Sequence, residues 1–404
     1  MERDAKLLIV SFVLLNLLNW ITTVELQYSI PLILKYLLSA GVLGLMIWFW
    51  LKHRNKPNPG SNYSLIINLF VIWSSILVIF AIVNFNDLFY LQRVFAQRFF
   101  FIPYILPLII LFTKFDIKFF KVYLHFAALL IIPALLLQLF IIISGMDTSS
   151  WFEQTTRIFI FDIGSSLVLL TAHLYSKKYV SYFIIVYFIL FIFLWSFFGR
   201  RGMIIEYTLI FLMMLIMRLK SPLLKRSDRM KIYFLGIVLL LLLIGFGYLF
   251  SHTYAFQRGF SISAFEESRG QVLIDFFNDF NSIQDWLIGR GLLGTVSRSI
   301  LGYEEAGFIE NGFLNILLKG GLIYALPFIL IMLRASYIGF FRTNNELTKA
   351  LALIILVHII MMAYFNLPDY SPKYILTWIA VSACYNTELR NATTAEILEA
   401  INRN

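Results

Sequence analysis

This chain offers little that could form a covalent cross-link or hold a metal. Its one cysteine, Cys384, excludes an intramolecular disulfide and a cysteine metal site. The five histidines, His53, His125, His173, His252 and His358, are too scattered for ligand spacing. Phosphate loops, zinc-protease patterns and Gly-x-Ser-x-Gly elbows are absent, which removes the common soluble-enzyme chemistries. No cofactor is expected. Charge is scarce too: 14% of residues are charged, against about 25% in a soluble domain. Apolar residues take the vacated share, at 60% of the chain with a mean hydropathy of +0.81. The reading is an all-α polytopic membrane protein forming a single integral membrane domain over 1–404. The first apolar stretch has no small-residue cleavage site behind it and reads as a retained anchor.

Apolar runs recur at 7–24, 30–51, 63–83, 99–113, 122–144, 158–175, 179–198, 203–217, 232–250, 312–333, 350–366 and 374–386, so about 12 transmembrane helices are expected. Basic loops follow every second run. They carry Lys52, Arg54 and Lys56; Lys114, Lys118 and Lys121; Lys177 and Lys178; Arg218 through Lys231; and Arg334, Arg342 and Lys349. By the positive-inside rule these loops and both termini are cytoplasmic. Most of the +10 net charge lies in them, so it is not a nucleic-acid footprint and no nucleic-acid partner is expected. The sequons at Asn62 and Asn391 fall on the cytoplasmic side and read as chance matches.

The opposite side is almost free of lysine. It holds Arg93, Arg98, Arg157, Arg200, Arg201, Arg258, Arg269, Arg290 and Arg298, with Lys373 as its one lysine. Topology signals use both cations, so an arginine-only excess asks for another cause. Planar, bidentate binding of an oxyanion such as pyrophosphate supplies one, and scattered surface charge is the plainer alternative.

One outer loop, 251–311, is much longer than the rest. Ser263 with Glu266 forms a capping-box pattern. Val272, Leu273, Phe276, Phe277, Phe280, Ile283, Trp286 and Leu287 then recur at helical spacing. That predicts one amphipathic helix on the membrane or across the bundle mouth, stopped at Gly289-Arg290-Gly291. A lid or packing helix without chemistry has the same pattern.

Three groups could carry chemistry. Gly199-Arg200-Arg201-Gly202 is a two-arginine hairpin between spans, with Glu206 a turn later. Arg157 and Asp162 open the sixth span. Arg258, Arg269, Arg290, Arg298 and Glu310 belong to the long loop, and Arg93 and Arg98 complete the set. An Arg–Glu pair that only anchors a helix, or a snorkelling arginine, stays open for the first two.

Three of these segments resemble the O-antigen polymerase and O-antigen ligase superfamily of bacterial envelope glycosyltransferases. They are Phe198-Gly199-Arg200-Arg201-Gly202-Met203, Arg157 to Gly164, and the block from Arg269 through Trp286-Leu287-Ile288-Gly289-Arg290-Gly291 and Ile309-Glu310-Asn311-Gly312-Phe313 to Ile323. The resemblance implies transfer of glycan from undecaprenyl pyrophosphate at the outer face of the inner membrane, without a metal. Its implied partners are the undecaprenyl-pyrophosphate-linked glycan, membrane lipid and a chain-length regulator. It implies Arg201 and Arg269 as catalytic arginines that hold the pyrophosphate; Glu310, by general-base logic, is read as the catalytic group that orients or deprotonates the acceptor. Arg157, Arg200, Arg290, Arg258, Arg98 and His252 would contact pyrophosphate or glycan. The ligases place a histidine where this chain has Glu310-Asn311, which favours a polymerase over a ligase. A flippase for the same lipid is the rival from another class, kept open by Lys35 and Lys319 within spans.

Overall fold

The computed structural model describes residues 2–24, 32–60, 63–83, 99–144, 165–175, 178–197, 201–220, 270–297 and 305–402, with isolated residues between 229 and 245. The chain is mostly helical. In order come α1 (Glu2–Val24), α2 (Leu32–Lys52), α3 (Ser64–Val83), α4 (Ile102–Ile110), α5 (Ile117–Ser144), α6 (Ser165–Leu170), α7 (Lys178–Phe197) and α8 (Arg201–Lys220). Then follow α9 (Gln271–Asp279), α10 (Ile283–Ile288), strands β1 (Val296–Ser297) and β2 (Glu305–Ala306), α11 (Gly312–Phe341), α12 (Glu346–Met362), α13 (Pro372–Tyr385), α14 (Thr387–Asn391) and α15 (Thr394–Asn402). The strands pair antiparallel, with Val296 opposite Ala306.

The core is built around α13. Every residue of it except Lys373 is buried. Ser371 caps it by accepting from the Tyr374 N–H, and Pro372 fits its first turn because no N–H partner is needed there. Around it pack α11, α12 and α4, with α1 and α3 beyond. A second group, α6, α7 and α8, joins through α12. Phe70, Tyr324, Phe328 and Trp378 stack where α3, α11 and α13 meet.

Among the described residues three helical stretches are long and apolar enough to cross a membrane: Ser64–Val83, Gly202–Leu219 and Gly312–Phe341. On α3 the inner stripe is Ile67, Phe70, Ser74, Leu77 and Ala81, at the 3–4 spacing of one helix face. The outer face is apolar as well, with Leu65, Leu69, Ile72, Ile79 and Ile82 exposed. A helix apolar all round is suited to an apolar surrounding.

The described basic loops after α2, α4, α6 and α11 gather at one end of the bundle. Asp4 binds Lys52 at 2.9 Å and His53 at 3.0 Å. The Lys114 N–H donates to the His53 carbonyl, and the Lys114 ammonium meets Glu388. His173 pairs with Glu346, and Asn402 donates to the Leu174 carbonyl. Asn345, wholly buried, caps α12 through its Oδ1 and donates from Nδ2 to the carbonyls of Leu389 and Ala392. Both ends of the described chain and the loops after α2, α4, α6 and α11 therefore share one end.

Two expectations change in shape. The amphipathic segment is two helices, α9 and α10, and the part with Ser263 and Glu266 lies outside the described residues. The break falls at 280–282, where Ser282 starts α10 by accepting from the Asp285 N–H. The stop at Gly289 is as expected, with φ of +72°. The fourth run yields a helix of only nine residues, which holds Pro103 and Pro107.

α11 is also not continuous. Gly321 has φ +61° and ψ −169°, so the helix breaks there. The first piece supports the loop cap: Phe276, Phe280, Val296, Ile309, Leu314 and Leu318 form a small core of their own, joined by Trp286. A Cβ on Gly321 would lie 2.3 Å from the Leu287 carbonyl oxygen, whereas one on Gly41 in α2 would meet nothing within 4 Å. Gly321→Ala should therefore destabilise by more than about 1–2 kcal/mol, the cost of left-handed backbone alone. Gly41→Ala should stabilise by about 0.5–1 kcal/mol through helix propensity. Thermal unfolding of the two variants in detergent should shift in opposite directions; equal shifts would contradict the break at Gly321.

Candidate functional site

At the end away from the basic loops, the first turns of α8, α11 and α13 converge on the turn that leaves α12. Glycine makes the approach possible. A Cβ on Gly202 would lie 2.4 Å from the Phe365 ring, and one on Gly312 would lie 2.0 Å from the Asn366 carbonyl oxygen. Asn311 fixes the start of α11 twice over: its Oδ1 accepts from the Leu314 N–H and its Nδ2 donates to the Ala363 carbonyl at 2.9 Å.

A charged clasp holds the convergence together. Glu206 on α8 is buried, at 3% exposure. The Lys373 ammonium on α13 lies 2.6 Å from its Oε1, donates to its Oε2 at 2.7 Å and donates to Asn366 Oδ1 at 3.1 Å. It also lies 5.5 Å from the centre of the Phe365 ring. Two of the three N–H donors of the ammonium are thus engaged in hydrogen bonds. Beyond Asn366 sits His358 on α12, 3% exposed, its Nδ1 3.5 Å from Asn366 Nδ2 and its Nε2 buried without a partner. Lys373, Asn366 and His358 line a cavity of about 150 Å³ together with Phe99, Tyr207, Phe365 and Asp369.

The predicted site residues divide into three sets. Arg201 and Glu310 are brought to the same turn: Arg201 opens α8 next to Gly202, and Glu310 directly precedes the Asn311 cap. Glu310 is exposed, and its side chain makes no hydrogen bond or ion pair with the described residues. The backbone on either side of it is pinned, since the Ile309 N–H donates to the buried Asn315 Oδ1. Arg98, Arg157, Arg200, Arg258, Arg269 and His252 lie outside the described residues, as do Arg93, Arg298 and Asp162. Among the described residues no group of three His, Cys, Asp or Glu side chains is placed to hold a metal ion.

Arg290, expected to contact pyrophosphate or glycan, forms the third set, and its guanidinium is engaged within the chain. Its Nε donates to Asp285 Oδ1 at 3.2 Å. Nη1 donates to Asp279 Oδ2 at 2.5 Å and to the Thr295 carbonyl at 2.9 Å. Nη2 donates to the Asp279 carbonyl at 2.7 Å and to Asp285 Oδ2 at 3.0 Å. A guanidinium has five N–H donors, and these bonds take them all. Arg290 is the staple that joins α9, α10 and the β1 hairpin. The two aspartates, read from sequence as the polar face of a helix, are its acceptors.

Lys319 is likewise occupied. It is fully buried, donates to the Gly294 carbonyl at 2.8 Å and lies over the Phe100 ring. Sequence reasoning missed the Glu206–Lys373 pair because its members are 167 residues apart. It missed His358 because a lone histidine in an apolar run has no spacing to read. Comparisons with protein-family models, with characterised proteins and with solved structures return no match for this chain.

Two outcomes follow. The Arg290 hydrogen bond holds the Asp285 carboxyl below its ordinary pKa of 3.8. A depressed carboxylate contributes stability above its unfolded pKa and loses it as pH falls through the folded value. Limited proteolysis within 280–297 should accelerate as pH drops below about 4, and Arg290→Lys should remove most of that pH dependence, leaving the segment open at neutral pH. A flat profile in the unmodified chain would contradict the staple. For the clasp, Lys373→Met alone strands a buried carboxylate and should cost on the order of 3 kcal/mol. The double variant Glu206→Leu/Lys373→Met should recover much of that loss, and additive losses in the thermodynamic cycle would show that the two groups are not coupled.

Proposed function

We propose that this chain is a membrane glycosyltransferase that polymerises lipid-linked oligosaccharide repeat units. It takes glycan from undecaprenyl pyrophosphate at the outer face of a bacterial inner membrane, with both termini cytoplasmic. The observation that carries the reading is the placement of Arg201 and Glu310. Far apart in sequence, they flank one turn at the end of the bundle opposite the basic loops. In the proposed reaction an acceptor hydroxyl attacks the anomeric carbon of the lipid-linked glycan. The bond from that carbon to the pyrophosphate oxygen breaks, and the electron pair leaves with the pyrophosphate. Arg201, with Arg269, stabilises the departing charge. Glu310, exposed and without a described partner, takes the hydroxyl proton.

Two further readings remain as outcomes to separate. A ligase would use the same chemistry on a finished polymer. A flippase draws support from the break at Gly321 inside a long apolar helix, a feature of transporter folds. Against that, Lys319 is committed to the loop cap rather than turned toward the bundle interior.

Purified full-length protein, supplied with lipid-linked single repeat units in excess chelator, should produce a ladder of polymer. Arg201→Lys should lower the rate by about 10²–10³, because a point charge does not reproduce a planar fork. Glu310→Gln should slow transfer while donor binding holds. Near-normal polymer from Arg201→Lys would contradict the assignment. In a deletion strain, single-repeat glycan on the final carrier supports polymerisation. Long polymer left on the lipid would mean a ligase, and single units trapped on the cytoplasmic leaflet would mean a flippase.

A further inference from the structure

The cavity beside the clasp has a chemistry different from that of the arginines. Its charged lining groups are Asp369 and Lys373, and Lys373 is ion-paired with Glu206. That ammonium already donates to Glu206 and Asn366. With two carboxylates near one ammonium the local charge disfavours an oxyanion, so pyrophosphate is not its ligand. What the cavity offers is aromatic surface, from Phe99 and Phe365, beside polar groups buried in its wall. His358 is the telling one: it is 97% buried, lines the cavity, and keeps Nε2 without a partner. A buried polar atom left unpaired is costly and calls for a bonding partner. With Nδ1 facing the Asn366 amide, Nε2 carries the proton and is a donor.

We infer that this cavity is a subsite for one neutral sugar ring, with the His358 Nε2–H donating to a ring hydroxyl and the aromatic walls covering its C–H face. A volume of about 150 Å³ takes roughly ten waters, the space of a single hydroxyl-bearing ring. The aromatic-and-polar lining is the composition that suits a ring with one greasy face and a rim of hydroxyls. The inference deepens the glycosyltransferase reading and rests on it for the identity of the glycan. It divides the end of the bundle into two parts: arginines for the pyrophosphate, and the cavity of His358 and Lys373 for a sugar. Met203 and Tyr207 come from the first turns of α8, so the two parts share the helix that Arg201 opens.

The test uses the full-length protein in detergent and the free oligosaccharide released from its lipid-linked repeat unit by mild acid. Saturation-transfer NMR should show contact to the protons of one ring. His358→Phe, which fills the same space without a donor, should weaken that binding by on the order of five- to tenfold, while His358→Gln, which keeps a donor, should retain part of it. The unliganded melting temperature of His358→Phe should not fall, because a stranded polar atom has been removed. Trimming the non-reducing terminal sugar from the probe assigns the ring: lost contact places the acceptor end in the cavity, and retained contact places the donor end there. With the unmodified protein, inorganic pyrophosphate should leave the ring signals in place. Equal glycan binding by His358→Phe, or displacement of the glycan by pyrophosphate, would overturn the subsite. Either result leaves the polymerase reading to its own test, the ladder made by Arg201→Lys and Glu310→Gln.

Discussion

A buried carboxylate cannot stay ionised without an answer, and Glu206 has one in Lys373. The pair lies between α8 and α13, helices that are otherwise in different groups of the bundle. Desolvating two charges costs several kcal/mol per ion, and only close geometry with further hydrogen bonds offsets it. Both Glu206 oxygens lie within 2.7 Å of the ammonium, which also donates to Asn366. Asn366 in turn lies against Gly312, so the clasp also sets where α11 begins and where Glu310 stands. The arrangement at this end of the bundle thus depends on one ion pair and on two glycines that let the helices approach it.

The loop cap follows the same logic with a different cation. Arg290 answers Asp279 and Asp285, and in doing so folds α9, α10 and the β1 hairpin onto the first turns of α11. The Arg290 N–H also donates to the Leu318 carbonyl near the helix break, a group the interrupted helix leaves available. An arginine that looked free in sequence is therefore consumed by structure. The anion-binding role in the proposal falls to Arg201 and Arg269.

Hydropathy alone carried much of the fold. Most of the apolar runs read from sequence coincide with helices, because a continuous apolar stretch has one regular way to satisfy its backbone away from water. Alternation of basic loops foretold that the residues after α2, α4, α6 and α11 would meet at one end, as the pairs Lys52–Asp4 and His173–Glu346 show. The glycine stop at 289 was legible because a positive φ selects that residue. Illegible were the partners. Arg290 reaches acceptors 5 and 11 residues back, across a break that helical periodicity cannot show. Glu206 was visible as a costly group, but its cation comes from another helix and was a lysine, not the neighbouring arginines. His358 gave no local signal, since its role depends on Asn366 and on the cavity that α8 and α13 close.

Under the proposed function the clasp and the loop cap would face one side of a membrane and the gathered basic loops the other. A direct measurement is cysteine accessibility in intact cells, in a Cys384→Ala background, at two exposed positions from opposite ends, Ser297 and Thr393. A membrane-impermeant thiol reagent applied from outside should label Ser297→Cys and spare Thr393→Cys until the cells are opened. Labelling of Thr393→Cys in intact cells, with Ser297→Cys protected, would contradict the orientation on which the proposed chemistry depends.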